Sequence, residues 1–78
     1  MSFQFTIIVP VYNEEDNLER VEKELLAYTK IATKNTCILF VNDGSKDDSQ
    51  TIIEAICSRN INFNYISFEA NRGLSAAI

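Results

Sequence analysis

Five apolar residues in a row, Cys37-Ile38-Leu39-Phe40-Val41, sit between two segments whose apolar residues recur at steps of three and four. An unbroken run of that length, rich in β-branched and bulky residues, is the pattern of a strand buried on both faces. Before it, Leu18, Val21, Leu25, Tyr28 and Ala32 mark one face of a helix that is expected to run to about residue 34. After it, from Asp47 or Asp48, a second helix is expected to bury Ile52, Ile53, Ile56 and Cys57. A strand flanked by two helices belongs to a parallel sheet, because parallel neighbours need long crossovers and antiparallel ones do not.

Two further runs complete the rhythm. Phe5-Thr6-Ile7-Ile8-Val9-Pro10-Val11 is β-rich and nearly continuous in apolar character. Pro10 has no N–H for a sheet ladder, so pairing is expected to stop or leave a gap there. Phe63-Asn64-Tyr65-Ile66-Ser67-Phe68 alternates, with Phe63, Tyr65 and Ser67 on one face and Asn64, Ile66 and Phe68 on the other. Asn13 is expected to cap the first helix, with Asp16 three residues on in the capping-box position. Leu74-Ser75-Ala76-Ala77-Ile78 has the character of a helix beginning. The expected fold class is therefore α/β, a Rossmann-like parallel sheet in β-α-β-α-β-α order, with residues 1–78 forming one incomplete domain. Three strands with an unfinished helix leave the first strand short of a neighbour. The expectation is an N-terminal piece of a larger domain, with exposed apolar surface and a tendency to self-associate.

Seventy-eight residues hold a single small core worth only about 3–5 kcal/mol. The two cysteines, Cys37 and Cys57, fall on the second strand and on the apolar face of the second helix, and are expected to be buried free thiols. With no CxxC and no histidine, no zinc site is recognisable. A net charge of −4 is unsuited to a phosphate backbone and argues against a nucleic-acid partner. Much of the acidity is local: Glu14, Glu15, Asp16, Glu19, Glu22 and Glu24 are expected to line a solvated helix face near its N-terminus. The first apolar run lacks a basic leader and is broken by Pro10, so it is neither a signal peptide nor a membrane span. The expected location is cytoplasmic, or at the cytoplasmic face of a membrane in a longer parent.

Parallel strands with right-handed crossovers bring every strand-to-helix loop to one edge of the sheet. Residues 10–14, 42–47 and 69–73 should converge there. Neither GxGxxG nor GxxxxGK[ST] occurs, and with only Gly44 and Gly73 available both fingerprints are excluded. What the loops do carry is Tyr12, Asn13, Glu14, Asp43, Asn71 and Arg72. An aromatic ring, a carboxylate and a guanidinium suit a heterocyclic base: the ring stacks, the carboxylate accepts from a ring N–H, and the arginine donates to a carbonyl or phosphate. Each residue also has a plain structural role. Tyr12 could simply end a strand, Glu14 complement a helix dipole, Asp43 form an Asx-turn before Gly44, and Arg72 sit solvated in a loop.

Three motifs together, Ile8-Val9-Pro10-Val11-Tyr12-Asn13-Glu14-Glu15, Val41-Asn42-Asp43-Gly44-Ser45-Lys46-Asp47-Asp48-Ser49 and Asn71-Arg72-Gly73-Leu74-Ser75-Ala76-Ala77, resemble the opening of a family 2 glycosyltransferase. The resemblance spans essentially the whole chain in order and spacing. It implies a GT-A fold and transfer of a sugar from a UDP- or GDP-type donor to an acceptor hydroxyl or lipid phosphate, as in cell-envelope polysaccharide synthesis. Carried over by position, it implies that Pro10, Tyr12 and Glu14 line the base and ribose pocket and that Asp43 accepts from the base. Asn71 and Arg72 would close the pocket, with Gly44, Ser45 and Gly73 shaping the loops. The metal-binding DxD motif and the general base of the family would follow Ile78, so no catalytic or metal-binding residue is expected in this chain. A divalent cation, Mn²⁺ or Mg²⁺, is implied for the parent, and the chain alone is expected to be inactive. A non-catalytic binding or receiver-like α/β module is the alternative: Glu14, Glu15 and Asp16 imitate a receiver's acidic cluster, but the later strands are missing.

Overall fold

The computed structural model describes residues 5–32 and 35–68. Within them the order is β1 (Phe5–Val11), α1 (Leu18–Ile31), β2 (Thr36–Asp43), α2 (Ser49–Ser58) and β3 (Phe63–Phe68). The three strands form one parallel sheet in the order β1-β2-β3, with the apolar run of β2 in the centre. This is the alternating α/β pattern of an incomplete Rossmann-like fold. The helix expected at residues 74–78 lies outside the described residues.

Register explains why one face carries the core. Ile7 and Val9 pair with Ile38 and Phe40, and Ile38 pairs with Phe63, so these side chains share a face. Against them pack Leu18, Val21, Leu25 and Leu26 from α1 and Ile52, Ile53, Ile56 and Cys57 from α2. Both helices thus cover the same face, as two right-handed crossovers stepping the same way must. The Phe40 and Phe63 rings meet at 6.1 Å between centroids. The opposite face carries Ile8, Leu39, Val41, Ile66 and Phe68, none of them in this core. Ile8 there is 58% exposed and Ile66 44%.

Four expectations are corrected. The β1–β2 pairing runs through Pro10 to Val11 without a gap. The Phe5 N–H donates to the Asn35 carbonyl, and the two-residue alternation of a parallel ladder then sends Phe5, Ile7, Val9 and Val11 toward β2. Pro10 falls on the other phase, so its missing N–H costs no bond to β2. Second, α1 begins at Leu18 after Asn17, without a side-chain cap, rather than after Asn13. Third, Tyr28 is 47% exposed; the buried stripe continues instead through Glu22, which is only 8% exposed and not part of a solvated face. Its carboxylate accepts from Nε and Nη2 of Arg59 and from Nδ2 of Asn60, tying α1 to the end of α2. Fourth, Cys37 and Cys57 are free but only half-buried.

Candidate functional site

The C-terminal ends of β1 and β2 present their loops side by side, and hydrogen bonds join the two loops directly. Asn13 sits at φ 53°, in the left-handed region that asparagine tolerates better than most residues. In that conformation its N–H donates to Ser45 Oγ (2.9 Å) while its Oδ1 accepts from the Lys46 N–H (2.8 Å). The Glu14 N–H donates to Ser49 Oγ (2.9 Å), and the Glu15 N–H to Asp47 Oδ2 (3.2 Å). Three consecutive N–H groups after the end of β1 therefore find acceptors in the β2–α2 loop and the first residue of α2, more than thirty residues away in sequence. Such backbone donors would otherwise be left to water. Asn13 has a different task from the helix cap the sequence suggests.

The second loop has its own frame. Gly44, at φ 74°, makes the turn that residues with a side chain resist. Asn42, 3% exposed, stabilises it: Oδ1 accepts from both the Ser45 N–H and the Ser45 hydroxyl, and Nδ2 donates to Gln50 Oε1 (2.8 Å). An Asx-type contact, the plain structural alternative for Asp43, is made here by its neighbour Asn42. Asp47 Oδ1 accepts from the Ser49 N–H (2.9 Å) at the start of α2. Burial opposes ionisation of Asp47, but the bonds from Ser49 and the Glu15 N–H outweigh it and hold the carboxyl below its ordinary range.

Asp43, the last residue of β2, is 8% exposed and lies on the sheet face opposite Asn42, in register with Phe68 of β3. Tyr12 is 41% exposed at the end of β1. Glu14 is exposed, and its Oε2 accepts from Asn17 Nδ2 (2.9 Å). Pro10 shares the face of Asp43, on β1. The structure thus brings Pro10, Tyr12, Glu14, Asp43, Gly44 and Ser45 to one edge. Asn71, Arg72 and Gly73 lie outside the described residues. Among the described residues, no group of three or more His, Cys, Asp or Glu is placed to hold a metal ion, and no helix is long and apolar enough to cross a membrane.

Residues 6–78 match the family model described as glycosyl transferase family 2. The chain belongs to that family. Among its relatives, the dolichol-phosphate mannosyltransferase of Saccharomyces cerevisiae is 33% identical over 79 residues, covering 100% of this chain and 30% of the relative. The CsbB protein of Bacillus subtilis is 41% identical over 76 residues, covering 94% of this chain and 22% of its own length. A prophage bactoprenol glucosyl transferase homolog of Escherichia coli is 31% identical over 75 residues, with 96% and 24% covered. The chain therefore spans less than a third of the length of each of these relatives.

The sequence did not single out Gln50 or Ser67 for the site. Gln50 Oε1 accepts from Asn42 Nδ2 and from the Ser67 hydroxyl at the end of β3. A signal was present: Gln50 stands in the first turn of a helix that follows a strand with the amide residue Asn42 next to its last position.

Proposed function

We propose that this chain is the donor-nucleotide half of an inverting glycosyltransferase, which moves a sugar from a UDP- or GDP-type donor to an acceptor hydroxyl or lipid phosphate. The observation that carries the reading is Asp43: a carboxylate withdrawn from solvent at the C-terminal edge of a parallel sheet, beside a loop that presents Tyr12. A ring N–H of a base is the complement of such an acceptor, and the exposed phenol ring offers a stacking surface. Family membership supports the sugar-transfer part. Dolichol phosphate and bactoprenol in the relatives' names favour a lipid phosphate among the acceptors.

In this reading Asp43 recognises the base and breaks no bond. Pro10, Tyr12 and Glu14 bound the base and ribose, and Asn71 and Arg72 close over the nucleotide. A divalent cation, held by ligands outside this chain, would neutralise the diphosphate leaving group. The acceptor's general base would also lie outside it, so the chain alone is expected to be inactive.

Calorimetric titration of the parent with UDP and with GDP, each with Mg²⁺ or Mn²⁺, tests the reading. Asp43→Ala should weaken binding of the preferred nucleotide at least tenfold, about 1.4 kcal/mol. Binding of neither nucleotide, or binding indifferent to Asp43, overturns it. Measurable sugar transfer by the 78-residue chain alone would overturn the assignment of catalysis elsewhere.

A further inference from the structure

The hydrogen bonds beneath the loops form one continuous path. From the Asn13 N–H it passes to Ser45 Oγ, from the Ser45 hydroxyl to Asn42 Oδ1, from Asn42 Nδ2 to Gln50 Oε1, and ends where the Ser67 hydroxyl donates to the same Gln50 oxygen. It starts in the loop after β1, runs under the end of β2 and reaches the last turn of the pleat in β3. The ends of all three strands are therefore tied together on the helix-covered side of the sheet, while Asp43 and Phe68, paired in register, occupy the other side.

We infer that Asn13 and Gln50 are positioning residues for the nucleotide site, anchoring the two ends of this polar path and so fixing Tyr12 and the end of β3 relative to Asp43. The inference rests on the proposed nucleotide reading and adds to it two residues that touch no ligand.

The chemistry of each end supports the role. Asn13 is the residue type that takes the left-handed turn and still offers an oxygen to the Lys46 N–H, so its own bonds join the first loop to the second. The Gln50 oxygen is fully engaged: Oε1 accepts twice, and Nε2 donates one of its two hydrogens to Glu54 Oε2 (2.8 Å). An amide oxygen filled by two protein donors orients those partners and has no lone pair left for a substrate donor. Ser67 precedes Phe68, the register partner of Asp43, so holding Ser67 fixes the end of β3 beside that carboxylate.

The test compares Gln50→Met, which keeps the shape and removes the acceptor, with Gln50→Glu, which keeps the acceptor. Asn13→Gly forms a second arm: it permits the left-handed backbone, keeps the N–H that donates to Ser45 Oγ, and removes the side chain whose Oδ1 accepts from the Lys46 N–H. Each is measured in the parent by titration with UDP and, in parallel, GDP, both with Mg²⁺, alongside Asp43→Ala and with thermal unfolding as a control. Gln50→Met and Asn13→Gly should each raise the Kd of the preferred nucleotide about tenfold, the loss of roughly one well-placed hydrogen bond. The donor KM should rise in parallel with kcat held within about twofold, and Gln50→Glu should recover most of the affinity. A merely structural role would lower the unfolding midpoint and leave Kd unchanged. If Asp43→Ala weakens binding while Gln50→Met and Asn13→Gly stay within about twofold of wild type, the inference is overturned and the nucleotide reading survives. If Asp43→Ala has no effect either, both fall together.

Discussion

Glu22 shows how one residue can hold two helices in relation. Its carboxylate takes two bonds from Arg59 and one from Asn60, whose Nδ2 also donates to the Ile56 carbonyl. The Arg59 bonds, aided by Asn60, overcome the desolvation of Glu22 and hold its carboxyl below the usual range. Arg59 is half-exposed and would re-solvate if abandoned, so the loss falls mainly on Glu22's side of the contact. Glu22→Gln should cost about 1 kcal/mol, read as a fall of roughly 4–8 °C in the unfolding midpoint. The pH dependence follows in sign. Glu22 and Asp47 both have folded pKa values below their ordinary ones, so the stability they supply is fully present above the ordinary carboxylate range and is lost as pH falls through the folded values. An acid titration of stability should show that loss begin below about pH 4.3. It should be smaller in Glu22→Gln; an identical acid profile in the variant would remove Glu22 from the account.

At the scale of elements, the phase of a strand decides what a proline does to it. Pro10 lies on the phase of β1 that faces away from β2, whereas Val9 lies on the bonded phase. Pro10→Ala should leave the protection of the β1–β2 amides against hydrogen exchange unchanged. Val9→Pro should cost on the order of 1–3 kcal/mol by removing a ladder bond. Equal damage from both would refute the phase assignment. Strand composition reveals that β1 exists but not which of its residues turn their backbone toward a partner, which is why a gap at Pro10 was a reasonable expectation. The strands were legible because apolar runs and period-two alternation are strong local signals. β3 falls at Phe63–Phe68 as the alternation implies. The start of α1 was not legible, because Asn13 is claimed by Ser45 and Lys46, partners that only the folded sheet brings near. Glu22 was hidden for the same reason: its charge reads as solvated until Arg59 arrives from a distant helix end. The site was legible as an edge, since topology alone sends the loops there. Its internal bracing through Asn42 and Gln50 was not, since amides carry no signature of whom they bond.

At the scale of the molecule, the sheet has two unlike faces. One is closed by α1 and α2 over Ile38, Phe40, Ile53 and Ile56, all essentially inaccessible. The other offers Ile8 and Ile66, roughly half-exposed, on either side of Leu39 and Val41 in the central strand. Leu39 is partly exposed and Val41 only 7% exposed, so the accessible apolar surface here is mainly that of the two isoleucines, and apolar surface drives association in proportion to the area it removes from water. The 78-residue chain in isolation is therefore expected to self-associate through this face. Burying two half-exposed isoleucines per copy is worth about 1 kcal/mol each, at roughly 25 cal/mol per Å² of apolar area, so the association should be weak and concentration-dependent. Sedimentation velocity across a range of concentrations should show the apparent mass rising. The double variant Ile8→Glu, Ile66→Glu should stay monomeric over the same range, because a like-charged, desolvated pair on the contact face reverses the sign of the energy. The helix-covered face supplies the control: Ile61, almost fully exposed in the turn before β3, can be changed to Glu with no effect on association. If that substitution disperses the chain and the sheet-face pair does not, association runs through the turn and not through the open sheet.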